Sequence, residues 1–391
     1  MPKIERVEVS ITELSTRLQR KLSSGAADTG PAGAPLGKPV LVRIFSDGII
    51  GSGQIRPVSP GHFSAESVHS VFSAVRDYYA PMMIGRSIFD IDQLWSDFDR
   101  ILPANPNARA AIDCALHDAM GQALGAPVHQ LLGGMCQERV PMEWSISMAD
   151  DPSAMVDDAL HAIGELKVSA LCLKAGSPGG WQEDARNFEA VRTAVGPDVT
   201  IAIDPNTAWT VAETIRLIER LADLNVEYIE QPINRFDIPG LRQIRSASHG
   251  VPIAADESLF TRRDAYDLAR QEAVDILCLK IYKMGGIREA KRIADFAATT
   301  NLHVTLGGLA IQSQLEAASS AHLFSSIPGS LLMSGAEFLF GVGLGGTDPL
   351  VDEMSLVVKD GHVDVPTTPG LGIKISSAAV ARCAIVSDAI S

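Results

Sequence analysis

A chain of 391 residues, 46% of them hydrophobic and 20% charged, has the makeup of an ordinary folded protein rather than a disordered one, and it is long enough for a barrel plus a smaller second unit. Its 33 basic residues stand against 47 acidic ones, a net charge of −14. That balance argues against nucleic acid or an anionic membrane as partner, since both need a basic surface.

The opening Met1-Pro-Lys-Ile-Glu-Arg lacks the basic-then-apolar layout of a signal peptide, and no apolar run reaches membrane-spanning length. Cysteines 114, 136, 172, 278 and 383 are scattered, with no Cys-x-x-Cys pair, as expected of free thiols in a reducing compartment. A cytoplasmic protein is the expectation.

In chain order, residues 4–11 and 40–45 alternate apolar and polar, which predicts two half-buried antiparallel strands. Between them, residues 23–35 are small and rich in Gly and Pro, which predicts either a disordered surface loop or a mobile lid. Residues 64–102 read as helices. A further helix is expected from about 108 to 122, with Asn105 and Asn107 as candidate caps. A Gly-rich connection closes this first α+β unit near residue 136.

From there the pattern becomes a strand–helix alternation. Short apolar runs at 140–146, 170–173, 199–203, 226–229, 252–255, 275–279, 302–306 and 331–333 predict eight buried parallel strands, and so one barrel over 137–349. The tail, residues 350–391, has strand-like pieces and is expected to return to the first unit, 1–136, as part of a cap.

Five of these runs end in a polar residue: Lys174, Asp204, Glu230, Asp256 and Lys280, spaced 30, 26, 26 and 24 residues apart. Parallel barrels carry their chemistry at the carboxyl ends of their strands. Asp204, Glu230 and Asp256 fall on neighbouring strands three, four and five. Three converging carboxylates repel one another unless a cation sits between them, and an all-oxygen set suits Mg²⁺ better than zinc. Asn206 is placed to support the site. The lysines fall on strands two and six, on opposite sides of the mouth. A metal-bound carboxylate substrate would then have an amine on each face of its α-carbon. The metal stabilises the enediolate, and the metal with partial burial is expected to lower a lysine's pKa until it can accept the α-proton. A Schiff-base lyase would leave the three carboxylates without purpose.

These residues resemble the enolase superfamily, and within it the muconate-lactonizing-enzyme (mandelate racemase/muconate lactonizing enzyme) family. The resemblance spans nearly the whole chain. It rests on Ala108-Arg-Ala-Ala-Ile-Asp-Cys-Ala-Leu-His-Asp118, Leu132-Gly-Gly134, Asp204-Pro-Asn206, Glu230-Gln-Pro232, Ala255-Asp-Glu-Ser258, and Leu279-Lys-Ile281 with Gly285-Gly286. It implies a modified TIM barrel, (β/α)7β, under an α+β capping domain, with Mg²⁺ held by Asp204, Glu230 and Asp256. It also implies acid/base roles for Lys174 and Lys280, supporting roles for Asn206, Glu257 and Glu337, and assembly into a dimer or octamer.

One departure stands out. The family's usual Lys-x-Lys on strand two reads Cys172-Leu-Lys174 here, so the helper lysine is gone and Cys172 is expected to be a small buried residue. The Asp-x-Asp that holds a free ammonium in dipeptide epimerases is also missing; Ser334-Gly-Ala-Glu337 stands in its place. The leading expectation is a racemase or epimerase acting on a small carboxylate, an N-modified or cyclic amino-acid derivative. The alternative is a dehydratase or cycloisomerase sharing the enediolate. Specificity is expected in loops 17–39 and 56–63, with His62 and Phe63 as contacts, and at Trp144 and residues 309–312.

Overall fold

The computed structural model describes residues 1–23, 25–58, 64–308 and 311–391. Strand β1 (Ile4–Thr12) buries Ile4, Val7, Val9 and Ile11, the alternation its sequence carries. Strands β2 (Gln19–Leu22) and β3 (Gly25–Asp28) pair as an antiparallel hairpin. Strands β4 (Val40–Ser46) and β5 (Ile49–Ile55) continue the first sheet beside β1.

Within the stretch 23–35, expected to be a loop or a lid, residues 25–28 pair in this hairpin, and residues 29–35 carry no strand or helix. Buried cations fasten the stretch between β3 and β4. Arg56, almost fully buried, donates to the carbonyls of Gly37 (2.7 Å) and Asp28 (2.8 Å), and Lys38 pairs with Glu13 (2.5 Å).

The helix Pro106–Leu124 lies against the first sheet. Gly51 and Gly53 on β5 permit the approach. A Cβ at either would lie 2.2 Å from a helix carbonyl, that of Ala115 or of Ala111. The helix is not capped by Asn105, which sits in the left-handed region at φ 55 with no side-chain cap. Instead the Glu66 carboxylate accepts from the amides of Asn107 (2.8 Å) and Ala108 (3.3 Å).

After the short strand β6 (Arg139–Pro141), the barrel strands follow: β7 (Glu143–Ile146), β8 (Ala170–Lys174), β9 (Thr200–Asp204), β10 (Ile229–Glu230), β11 (Ile253–Ala255), β12 (Ile276–Leu279), β13 (His303–Leu306) and β14 (Leu332–Ala336). Among the described residues they form one eight-stranded parallel sheet in sequence order. A bridge from Met142 to Ala336 joins its two edges. This is the TIM-barrel architecture with a separate antiparallel sheet, as expected. Strand β15 (His362–Asp364) pairs with β6, and β16 (Ala384–Ile390) pairs with β1 at the edge of the first sheet, giving the order β16-β1-β4-β5.

Candidate active site

Alternation along each barrel strand separates two populations. Leu171, Leu173, Ile201, Ile203, Ile253, Leu277 and Leu279 belong to the belt under the surrounding helices. Cys172, Ala202, Tyr228, Ala254 and Ile276 form a small inner layer. Lys174, Asp204, Glu230 and Asp256 each stand two residues beyond an inner-layer position, and Lys280 stands four beyond Ile276. All five therefore point into the mouth, and all five are buried.

A Glu230 oxygen lies within 4.8 Å of an Asp204 oxygen and, in a second grouping, within 4.8 Å of an Asp256 oxygen. No hydrogen bond reaches the Glu230 carboxylate among the described residues. Burial, then Asp204 and Asp256, push its pKa well above the ordinary value. A buried carboxylate between two others, with no donor of its own, fits a cation-binding wall built of hard oxygen ligands.

The lysines close the wall from both sides. Lys174 Nζ lies 2.6 Å from Asp204 Oδ2, and Lys280 Nζ lies 2.5 Å from Asp256 Oδ2. Gly307 makes room for Lys280, since a Cβ there would lie 2.2 Å from Lys280 Cε. Burial works to lower both lysine pKa values. The carboxylates outweigh it, chiefly Asp204 for Lys174 and Asp256 for Lys280, and both amines are raised and held charged. Direct pairing of each amine to an aspartate is the cause; the expected lowering was for the metal-bound site.

The supporting residues divide. Asn206 Nδ2 donates to Asp204 Oδ2 (2.9 Å) and Glu257 Oε1 (3.3 Å), and its backbone N–H donates to Asp204 Oδ1 (2.8 Å). Its φ of 44 is the strained turn that brings side chain and amide to the same carboxylate. Glu257 is buried, and its pKa is pushed up to about 8 by burial and then by Asp256 and Asp204. For Glu337, burial works to raise the pKa, but Lys174, Arg20 and Lys280 outweigh it and lower it. Cys172 is buried in the inner layer.

Trp144 is not at the mouth. Glu143 and Ser145 take the inward positions of β7, and Trp144 Nε1 donates to Asp158 Oδ1 (3.0 Å) on the flanking helix Pro152–Gly164. His62, Phe63, Leu309 and Ala310 lie outside the described residues. Gln312 is taken up in holding the cap: its Oε1 accepts from Ser15 Oγ (2.9 Å) and the Thr16 amide (3.2 Å).

Two further residues belong to the site. Lys283 is fully buried and donates to the Asp256 carbonyl (2.7 Å) and to Asp256 Oδ1. The helix Ile281–Met284 turns it back one turn after Lys280, a spacing visible in Lys280-Ile-Tyr-Lys283. Arg20, on β2, reaches over the mouth. It donates to Glu337 Oε1 (3.1 Å), to the Ser145 carbonyl (2.6 Å) and Oγ (2.8 Å), and to Ser147 Oγ (3.1 Å). Ser23, at the end of the same hairpin, donates to the Pro205 carbonyl (2.8 Å). No local signal singles out Arg20 among the chain's exposed-looking arginines.

Residues 35–133 match the family model described as the mandelate racemase / muconate lactonizing enzyme N-terminal domain, and residues 154–379 match the one described as enolase C-terminal domain-like. The chain belongs to the enolase superfamily. Within it, the mandelate racemase/muconate lactonizing enzyme family is the relevant branch, and its members among the relatives are isomerases, so the chain is an enzyme of that kind. It is 31% identical to a chloromuconate cycloisomerase of Cupriavidus pinatubonensis, over 89% of this chain and 92% of that one. It is 30% identical to an N-succinyl-L-Arg/Lys racemase of Bacillus cereus, over 90% of this chain and 91% of that one. The crystal structure of a muconate lactonizing enzyme from Pseudomonas fluorescens, complexed with muconolactone, superposes with a TM-score of 0.89 at 28% identity, covering 98% of this chain and 99% of that one. Among the described residues, no helix is long and apolar enough to cross a membrane.

Proposed function

We propose that this enzyme removes and returns the α-proton of a small carboxylate in a Mg²⁺-dependent racemisation or epimerisation, acting on an N-modified or cyclic amino-acid derivative. The observation that carries the reading is the pair of buried lysines on opposite strands flanking a carboxylate wall. Asp204, Glu230 and Asp256 would hold the ion. A Mg²⁺ ion held there would supply positive charge that offsets the aspartate charge now paired with the two amines and favours an enediolate. Lys174 takes or gives the proton on one face of the α-carbon and Lys280 on the other. Asn206 and Lys283 hold Asp204 and Asp256 in orientation, and Arg20 holds Glu337 at the rim.

An N-modified substrate is supported by the similarity to an N-succinyl-L-Arg/Lys racemase. Ser334 lies away from the mouth, bonded to Glu227 at the amino-terminal end of the barrel, and does not bear on the choice. We further propose a capping unit of residues 1–136 and 350–391 over a barrel unit of 137–349, and a homo-oligomeric, cytoplasmic enzyme. The second reading, a cycloisomerase or dehydratase, is favoured by the identity to a chloromuconate cycloisomerase and uses the same enediolate.

Incubation of N-acylated and cyclic amino acids in D₂O decides between them. Deuterium wash-in with inversion, lost on chelation and restored by Mg²⁺, is the expected result. Formation of an unsaturated or ring-closed product without inversion would replace racemisation by the second reading.

A further inference from the structure

The same three residues close β8 and run off the end of β12: Cys172-Leu-Lys174, and Cys278-Leu279 followed by Lys280. Residues two apart on a strand share a face, so each thiol lies one layer beneath a lysine. Both thiols are buried at 1% exposure, and no hydrogen bond reaches either sulfur among the described residues. The Cys172 sulfur and oxygens of Asp204 and Glu230 all lie within 4.8 Å of one another, and so do the Cys278 sulfur and oxygens of Glu230 and Asp256. Glu230, whose carboxylate meets no donor among the described residues, is common to both groups.

Sulfur changes what such a wall prefers. Mg²⁺ takes oxygen ligands, whereas thiolates select softer ions such as Zn²⁺ and Cd²⁺. Two carboxylates and a thiol at these separations give each half of the wall a donor set for a thiophilic ion. We propose that Cys172 with Asp204 and Glu230, and Cys278 with Glu230 and Asp256, give the floor of the mouth two alternative mixed sulfur–oxygen positions for a thiophilic divalent cation. An ion at either position shares Glu230 with the hard-ion position and so competes with Mg²⁺. As each metal–sulfur bond forms, the thiol proton leaves to solvent, and no electron changes hands. The competition rests on the proposed Mg²⁺ site; the sulfur ligation does not.

The probe is Cd²⁺ alone, added to the full-length enzyme without substrate and followed by sulfur-to-cadmium charge-transfer absorption in the ultraviolet. A variant carrying Cys114→Ala, Cys136→Ser and Cys383→Ala confines the signal to the two site thiols. The expected result is a saturable band in that variant, reversed only by a large excess of Mg²⁺. Adding Cys172→Ser and Cys278→Ser should abolish the band and weaken Cd²⁺ binding about tenfold or more. Should the triple variant fail to fold, the same two serine substitutions in the otherwise natural chain should remove the part of the band that Mg²⁺ reverses. Cd²⁺ binding without the band, or no Cd²⁺ binding at all, overturns the proposal. Because no substrate is present, either failure leaves the proton-transfer reading untouched, and a failure of proton exchange leaves the band intact.

Discussion

Lys283 and Asp256 form a fully buried pair in which one ammonium holds both the backbone carbonyl and a carboxylate oxygen of the same residue. Lys280 takes the other carboxylate oxygen. Burial works to raise the Asp256 pKa, and the two lysines overcome it and hold the carboxyl well below the usual range. Lys283→Met removes one partner of a buried charge, so a loss of about 3 kcal/mol in unfolding free energy is expected. Urea unfolding measures it; an unchanged midpoint would mean the pair contributes nothing net.

Opposed lysines make an asymmetric prediction. Lys174→Ala should abolish deuterium exchange for one enantiomer and Lys280→Ala for the other, each by about 10²-fold or more. Proton NMR in D₂O on resolved enantiomers reads this directly. Loss of exchange for both enantiomers in both variants would point to a shared structural role instead.

Arg20 ties the β2–β3 hairpin to three residues at the barrel mouth. Arg20→Leu leaves the Ser145 carbonyl and the Glu337 carboxylate without this donor. It should lower kcat/KM by about 1–3 kcal/mol equivalent and open the hairpin to protease. Arg20→Lys should restore little, because an ammonium cannot reproduce a fork that meets four acceptor atoms on three residues.

A buried histidine pair predicts acid sensitivity away from the site. His322 Nδ1 accepts from the His129 backbone N–H (3.3 Å), which leaves its Nε2–H for the Leu371 carbonyl (3.3 Å). Burial holds the His322 pKa down to about 3, and its ordinary value is 6.5. The unfolded chain therefore binds this proton first. The contribution is fully present above about pH 6.5 and is lost as pH falls toward 3, up to about 5 kcal/mol. Urea midpoints across this range, compared with those of His322→Gln, isolate the effect; parallel curves would exclude it.

Much of the fold was legible because barrel strands are buried on both faces and read as short apolar runs punctuated by one polar residue. That regularity exposed Lys174, Asp204, Glu230, Asp256 and Lys280 without any contact being known. Trp144 was misread because its neighbours Glu143 and Ser145, though polar, take the inward positions, and hydropathy alone does not say which face of a strand looks in. Residues 23–35 were read as a loop or a lid because small residues carry no pattern, and that reading did not show that the backbone of residues 25–28 pairs in a hairpin.

What the sequence determined by itself was local and periodic: the strand and helix order, the carboxylate and lysine positions, and the Cys-Leu-Lys repeat, all set by side-chain alternation and spacing. What only the tertiary structure decided depends on residues far apart in the chain. Arg20 meets Glu337 across 317 positions, and Glu66 caps a helix 41 residues later. Without a metal the lysines are held charged, because folding sets each amine against an aspartate at hydrogen-bonding distance. Charge balance in a buried site is a sum over through-space neighbours, and those neighbours exist only once the barrel has closed.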